Sequence, residues 1–139
     1  MTKKIAVLGS TGSIGKTLLK IIEKNKKDFE IYLLTANKNY KELFRQTSQF
    51  KVKNVIITDK IAFKKFQNLN KNPKIKIYNT FENLEKIFTR KIDYTMCSII
   101  GINGLDPTYR IIKFTKTIAI ANKESIICAW NLISKNLFR

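Results

Sequence analysis

Short runs of consecutive apolar residues recur along this chain, and each is followed by a segment whose apolar residues have helical spacing. Because the runs do not alternate apolar with polar residues, they are typical of strands buried on both faces of a parallel sheet. The runs predict strands at 5–8, 31–34, 55–57, 75–78, 93–100 and 117–121. The intervening segments predict helices at 14–25, 43–50, 61–66, 84–88 and 107–114, and from 122 onward. This βαβα order predicts an α/β fold in which helices cover both faces of the sheet.

Three glycines, Gly9, Gly12 and Gly15, lie between the first predicted strand and the first predicted helix, in the segment GSTGSIG. At such a position glycines allow a sharp turn, a close approach of a pyrophosphate and close packing of helix on sheet. Phosphate groups would then meet free N–H groups at the helix N-terminus, and Thr11 and Ser13 can add hydroxyl donors. The motif favours a Rossmann-like, doubly wound, mainly parallel sheet, although a plain tight turn is the simpler alternative.

The same segment also resembles the end of a P-loop, because Gly15 is followed by Lys16 and Thr17. The run 55–57 followed by Thr58 and Asp59 imitates an apolar strand that ends in a metal-binding acid. However, Ser10 stands where the first P-loop glycine is required. A P-loop-type NTPase fragment, or a non-catalytic nucleotide-binding module, therefore remains the alternative function.

The end of the second predicted strand bears on which cofactor the fold selects. NAD-selective folds usually have an acidic residue there to hold the ribose hydroxyls, whereas this chain has Asn37, Lys38 and Asn39. Lys38 can pair with a 2′-phosphate, which favours NADPH. The alternative is that Lys38 is an ordinary solvated loop lysine.

The formal net charge is +17 over 139 residues, with 27 Lys and Arg against 10 Asp and Glu. Lysine, isoleucine and asparagine are all abundant and all have AT-rich codons, and the lysines are spread along the sequence. Codon bias is thus the favoured explanation, and a functional basic surface is the alternative. Nucleic-acid binding is not favoured.

Other compositional features exclude several classes of site. The sequence has no histidine, which excludes histidine-based triads and histidine metal sites. No apolar run approaches the ~20 residues of a membrane span. Cys97 and Cys128 lie in apolar runs, which predicts reduced core residues in a cytoplasmic protein.

A second polar segment, residues 119–125 (AIANKES), follows the last predicted strand and opens the last predicted helix. Together with GSTGSIG, with ANKN at 36–39 and with GINGLDPT at 101–108, it makes the chain resemble the 1-deoxy-D-xylulose 5-phosphate reductoisomerases over essentially its whole length. These enzymes use NADPH in the methylerythritol phosphate route to isoprenoids. The resemblance implies that residues 1–139 form the NADPH-binding domain.

The resemblance also implies individual roles. Residues around the NADPH phosphates would be Thr11, Gly12, Ser13 and Ile14. The loop at the adenosine phosphate would comprise Asn37, Lys38 and Asn39. Contacts near the nicotinamide would come from Asn122 and Glu124, substrate binding from Lys123, and the segment 98–101 would pass beside the cofactor. Helix N-capping by Asn122, with Glu124 favouring the helix dipole, is the simpler alternative for these two residues.

The family's divalent-metal site, for Mg²⁺ or Mn²⁺, begins in a D-S-E-H segment that this sequence does not contain. We therefore expect no catalytic or metal-ligating residue within the chain, and expect the catalytic and C-terminal domains of the family to be absent from it. On this basis the chain alone is predicted to be inactive. The resemblance implies that the full-length enzyme is a homodimer and that its substrate is a sugar phosphate.

Overall fold

A computed structural model describes residues 1–137 as a six-stranded sheet with helices packed against it. The strands are β1 Lys3–Leu8, β2 Phe29–Ala36, β3 Asn54–Ile57, β4 Lys76–Tyr78, β5 Ile92–Cys97 and β6 Thr115–Ile120. The helices are α1 Ser13–Lys24, α2 Tyr40–Gln49, α3 Lys60–Leu69, α4 Leu105–Ile111 and α5 Lys123–Leu137. Every strand predicted from the sequence is present.

The strand order is β4-β3-β2-β1-β5-β6, and every neighbouring pair is parallel. From β1 the chain adds β2, β3 and β4 on one side and then crosses over to add β5 and β6 on the other. The direction of winding therefore changes between β1 and β5. In open α/β sheets this switch point is where ligands bind, beyond the carboxyl ends of the strands.

Both faces of the sheet are covered, as the unbroken apolar runs predicted. Successive residues of β1 enter different cores: Ile5 and Val7 pack with α1, α2 and α3, whereas Ala6 and Leu8 pack on the opposite face. That opposite face is covered by residues 81–88 and by Ile111 of α4. The predicted doubly wound α/β fold, a Rossmann-like arrangement, is confirmed.

Several predicted boundaries are wrong. Strand β5 ends at Cys97 instead of continuing to residue 100, because its neighbour β1 ends at Leu8, opposite Cys97, and Gly101 further along has a positive φ of 73°. The predicted helix at 84–88 is a single 3-10 turn, Leu84–Lys86, preceded by Asn83 in the left-handed conformation.

The fifth predicted helix begins slightly earlier than expected and becomes a 3-10 turn at its end. Gly104 precedes α4, so Asp106 lies in the first turn, where it pairs with Arg110 at 2.7 Å. After Ile111 the chain continues as a 3-10 turn, Ile112–Phe114.

The prediction that both cysteines are core residues is half wrong. Cys97 is buried at the end of β5, but Cys128 is exposed on α5. Helix α5 also exposes Ile127, Trp130 and Leu132, so an apolar run in this helix does not mean burial.

Candidate functional site

The glycine segment forms a tight turn from the end of β1 into α1. Gly9 has a φ of 77°, and a Cβ there would lie 3.1 Å from the backbone of Ser98 and Ile99. A Cβ on Gly15 would lie 2.6 Å from the carbonyl oxygen of Gly9 and from the Cα of Ser10. Only glycine fits at these two positions, because the first turn of α1 rests directly on the loop that precedes it.

The N-terminus of α1 is open to a ligand. Gly12 is the N-cap, and no side chain among residues 1–137 caps this helix end. The first N–H groups of a helix have no partner within the helix, and the helix dipole makes this end electropositive. The arrangement is suited to an anion such as a phosphate.

A buried polar network holds the glycine loop against the neighbouring strand and helix. Thr35, near the end of β2, accepts hydrogen bonds from Gly9 N–H through its hydroxyl (3.0 Å) and from Ser10 N–H through its carbonyl (2.9 Å). The Ser10 hydroxyl donates to Gln46 Oε1 of α2 at 2.8 Å, and Gln46 Nε2 donates to the Ser10 carbonyl at 3.0 Å. Thr35 and Gln46 were not among the site residues predicted from the sequence. The available signal was a polar residue within the apolar strand β2, and another on the apolar face of the amphipathic helix α2.

Ser98 fixes the other side of the switch point. Its backbone N–H and its hydroxyl both donate to the Leu8 carbonyl, at 3.0 and 2.7 Å. The carboxyl ends of β1 and β5 are therefore tied together where the chain leaves the sheet.

A cleft of about 880 Å³ opens over this edge of the sheet. Its walls include Thr11 and Gly12 of the glycine loop, Asn37 after β2, and Ile99 and Ile100 after β5. A smaller depression of about 250 Å³ adjoins it across residues 98–100, and is lined by Ile14, Asn122, Lys123 and Glu124. The predicted site residues thus lie around two adjoining cavities at one edge of the sheet; Ser13, Lys38 and Asn39 lie outside both linings.

The loop after β2 is ordered by its own polar side chains. Asn37 Nδ2 donates to the Thr58 hydroxyl at 2.8 Å, and Asn39 Oδ1 accepts from the Glu42 N–H at 3.2 Å, which caps α2. Lys38 is exposed between them and forms no ion pair with a carboxylate of residues 1–137. Its ammonium group is therefore available to an anion at the rim of the cleft.

In the segment after β6, the Asn122 side chain does not cap the helix, which was the simpler alternative to a binding role. Asn122 is 6% exposed and its Nδ2 donates weakly to the Gly101 carbonyl at 3.4 Å. Its Oδ1 and the Ser125 hydroxyl find no hydrogen-bond partner within the described residues. Helix capping by the Asn122 side chain is therefore wrong, because capping requires Oδ1 to accept a backbone N–H.

Two pKa shifts arise near the carboxyl edge of the sheet. Burial raises the pKa of the Cys97 thiol to about 12, which keeps it protonated and unreactive. The hydrogen bond from Arg45 lowers the pKa of Glu42, which in turn accepts from Gln46 Nε2 at 3.1 Å. Glu42 is thus an ionised support of the network around Ser10.

The P-loop alternative is not supported by this geometry. A P-loop requires glycine at position 10. Here Ser10 is fully buried and its hydroxyl donates to Gln46 Oε1, so this loop is not built as a P-loop. Asp59 accepts from the Ala62 N–H at 2.8 Å as the cap of α3, and β2 separates β3 from β1. The carboxylate that the P-loop alternative would use for a metal ion is therefore engaged as a helix cap.

Within residues 1–137 no group of three or more His, Cys, Asp or Glu residues could hold a metal ion. The residues present do not fit a divalent-metal site. Among the same residues, none of the helices has the length and apolar character needed to cross a bilayer.

Comparison with known sequences identifies relatives of the chain. A family model described as 1-deoxy-D-xylulose 5-phosphate reductoisomerase matches residues 5–130. The chain is 62% identical over 137 residues to the 1-deoxy-D-xylulose 5-phosphate reductoisomerase of Pelagibacter ubique (strain HTCC1062), covering 97% of the chain and 35% of that protein. The enzyme of the same name from Wolbachia pipientis subsp. Culex pipiens is 35% identical over 134 residues, covering 96% and 34%. The chain therefore spans about a third of the length of these curated relatives.

Solved structures with the same fold carry ligands. The reductoisomerase from Zymomonas mobilis in complex with NADPH superimposes with a TM-score of 0.88 at 29% identity, covering 99% of this chain and 36% of that one. A reductoisomerase in complex with NADPH, fosmidomycin and magnesium gives a TM-score of 0.87 at 26% identity, covering 98% and 34%.

Proposed function

The chain belongs to the 1-deoxy-D-xylulose 5-phosphate reductoisomerase family, and we propose that it is the N-terminal NADPH-binding part of such an enzyme. The whole enzyme would convert 1-deoxy-D-xylulose 5-phosphate to 2-C-methyl-D-erythritol 4-phosphate in isoprenoid biosynthesis. The observation that carries the proposal is the uncapped N-terminus of α1, which lies at the switch point of the sheet beside the large cleft. The Zymomonas mobilis relative, with NADPH bound, supports it.

In this proposal the glycine loop binds the cofactor's phosphates. The N–H groups at Ser13 and Ile14 belong to the free first turn of α1, and Thr11 and Ser13 carry hydroxyls beside it. Gly12, half-buried at the cleft wall, lets the diphosphate approach the backbone. The network of Ser10, Thr35 and Gln46 keeps these donors in place before the ligand arrives, which lowers the ordering cost of binding.

The loop after β2 would bind the adenosine end. Lys38 supplies the cation for a 2′-phosphate, while Asn37 and Asn39 hold the loop through their bonds to Thr58 and to the Glu42 N–H. An acidic residue that could bind free ribose hydroxyls does not occur at residues 37–39. The loop therefore favours NADPH over NADH.

The segment after β6 would meet the reactive end. NADPH supplies a hydride when it is bound, and the protein's part is to orient it. Asn122 and Glu124 line the smaller depression, where they would position the nicotinamide, and exposed Lys123 would offer a cation to the sugar phosphate.

The remaining parts of the proposal concern the whole enzyme. A divalent ion, Mg²⁺ or Mn²⁺, would be held by segments that the relatives have beyond the matched third, and a homodimer is the family's expected assembly. The unpaired cysteines are consistent with a cytoplasmic location. Because the chain spans about a third of its relatives, we expect NADPH binding without turnover from the 139-residue chain alone.

Isothermal titration of the purified chain with NADPH, NADH and ATP–Mg²⁺ tests the proposal. We expect saturable NADPH binding that Lys38→Ala weakens about tenfold, equal to about 1.4 kcal/mol, with little change for NADH. Lys41→Ala, which removes an exposed lysine from the first turn of α2, is the matched control. Preference for ATP–Mg²⁺ would contradict the proposal, and clear NADPH- and Mn²⁺-dependent turnover would contradict the expected inactivity of the chain alone.

A further inference from the structure

A second concave surface lies at the amino edge of the sheet, opposite the proposed cofactor site. It has a volume of about 350 Å³. Six of its lining residues are lysines: Lys4, Lys51, Lys53, Lys74, Lys76 and Lys86. We call this surface the lysine cleft.

The fold gathers these lysines from distant parts of the sequence. Lys4 is in β1, Lys53 immediately precedes β3 and Lys76 begins β4. Because all strands are parallel, the start of each one lies at the same edge of the sheet. Lysines that are scattered along the sequence therefore converge on one concave surface.

The positive charge of the lysine cleft is not neutralised by the surrounding side chains. Glu30 is the one acidic residue in its lining, and none of the six lysines forms an ion pair with a carboxylate of residues 1–137. Lys4 Nζ instead lies 5.2 Å from the centroid of the Tyr32 ring. Clustered like charges repel one another, and a bound polyvalent anion would remove that cost.

Lys51 occupies a backbone position that does not favour lysine. It has a φ of 53° directly after the C-cap of α2, a left-handed position where glycine or asparagine is favoured. Asparagine is also AT-rich in its codons, and within residues 1–137 it occupies the other left-handed non-glycine position, Asn83. Asparagine would suit this backbone conformation better, and the lysine that stands there adds a charge to the cleft.

We infer that the lysine cleft binds a small molecule that bears a polyphosphate group. Its volume falls within the range of small-molecule sites, roughly 300–1,000 Å³. Lysine ammonium groups bind phosphate oxygens as point charges without fixed geometry, which suits a chain of phosphates. Thr89 lies in the same lining and carries a hydroxyl, a neutral hydrogen-bond donor. A nucleic acid would favour an extended stripe of charge over a concave pocket, so it is the rival outcome.

The test uses ¹⁵N-labelled 139-residue chain titrated with inorganic tripolyphosphate at physiological ionic strength. Amide shifts are expected at Lys4, Lys53 and Lys76, at concentrations below those that perturb Gly12 to Ile14. The double variant Lys53→Ala/Lys76→Ala is expected to weaken binding at least tenfold. The control variant Lys20→Ala/Lys64→Ala removes the same charge from exposed positions of α1 and α3 and is expected to change affinity less than twofold.

Three outcomes would overturn the inference. One is an equal loss of affinity in the two double variants, which would indicate general attraction to a basic protein. Another is confinement of the shifts to residues 11–14, which would place the anion in the cofactor site. The third is tighter, strongly salt-dependent binding of a 12-base-pair DNA duplex to the same lysines. We expect Lys53→Ala/Lys76→Ala to bind NADPH with the same affinity as the unsubstituted chain. This titration therefore distinguishes a failure of the lysine-cleft inference from a failure of the proposed function.

Discussion

The two edges of the sheet are built in contrasting ways. At the carboxyl edge, the glycine loop is packed so closely that a Cβ added to Gly9 or Gly15 would lie 2.6–3.1 Å from backbone atoms. Buried hydrogen bonds among Ser10, Thr35 and Gln46 hold the loop in place. At the amino edge, the lysine cleft consists of mostly exposed side chains outside any ion pair with residues 1–137. The carboxyl edge positions neutral donors precisely in space, whereas the amino edge accumulates charge.

This difference implies different responses to substitution. A close-packed backbone loop has no room to relax, so a single added carbon forces strain. Flexible, solvated lysines interact over longer distances and are screened by salt. Changes at the carboxyl edge should therefore cost far more than changes at the amino edge.

Thiol reactivity gives the largest expected contrast. With a pKa of about 12, roughly one in ten thousand Cys97 thiols is ionised at pH 8. In alkylation with iodoacetamide followed by mass spectrometry, we expect the exposed Cys128 to react at least about 1,000-fold faster than Cys97. The variant Cys128→Ser should then resist labelling until denaturant is added; rapid labelling of that variant would mean that the floor of the carboxyl edge opens readily.

Gly15→Val tests the closest backbone approach. The new Cβ would lie 2.6 Å from Gly9 O, so we expect a loss of about 3 kcal/mol in the free energy of unfolding, measured with urea. In Gly12→Ala the Cβ would lie 3.4 Å from the same oxygen, an ordinary contact, and stability should change by less than about 0.5 kcal/mol. Equal losses in the two variants would contradict the close packing of α1 on the loop.

Gln46→Leu tests the buried polar network. The change leaves the Ser10 hydroxyl and carbonyl without their partners in α2, so we expect a loss of about 2 kcal/mol in the free energy of unfolding. Gln49→Leu, a half-buried position in the same helix whose side chain bonds are exposed, should cost less than about 0.5 kcal/mol. If the two variants lose the same stability, the loop does not depend on the network.

Glu42 adds a pH dependence at the carboxyl edge. The hydrogen bond from Arg45 lowers the pKa of Glu42 in the folded chain. The stability that ionised Glu42 contributes is therefore fully present above the unfolded pKa near 4.5, and it is lost as the pH falls through the lower folded pKa. We expect Glu42→Gln to lower the free energy of unfolding by about 0.5 kcal/mol at pH 7. Once the pH is below the folded pKa of Glu42, the substitution should change that free energy little. The difference is measured by urea unfolding at both pH values; a cost independent of pH would point to lost packing instead.

Lys53→Ala should have the smallest effect, and of opposite sign. Removal of one charge from the lysine cleft relieves repulsion, so we expect a stability gain of about 0.3 kcal/mol at low salt that disappears at 1 M salt. Thermal unfolding at the two salt concentrations measures it, with Lys64→Ala as the control. A destabilisation at low salt would show that the cluster is not repulsive without a ligand.

The sequence predicted the strands and the glycine turn well because these depend on local patterns. Consecutive apolar residues mark each strand, and glycine spacing marks the turn at Gly9. Contacts between distant residues had no such mark: Ser98 bonds to Leu8 across the switch point, and Gln46 bonds to Ser10. Likewise, lysines that appear scattered in the sequence converge only once the starts of the parallel strands β1 to β4 lie side by side.

The exposure of α5 was also not predictable from composition. Ile127 and Trp130 look like core residues in a linear reading, yet both are exposed. Asn122 looks like a helix cap, but its amide turns toward the loop at Gly101. In each case the outcome depends on which side of the helix meets the sheet, which a short segment does not specify.

The position of β1 between β2 and β5 also bears on how the chain is made. On the ribosome, β2 can pair with β1 soon after both emerge, but Leu8 must wait for Cys97. Until then β1 has one open edge, a template for pairing with another nascent chain. The glycine turn therefore forms its last strand contact late, because Ser98, which bonds to the Leu8 carbonyl, lies 90 positions further along the chain. Synthesis rate and chaperone access during that interval should govern the yield of folded protein.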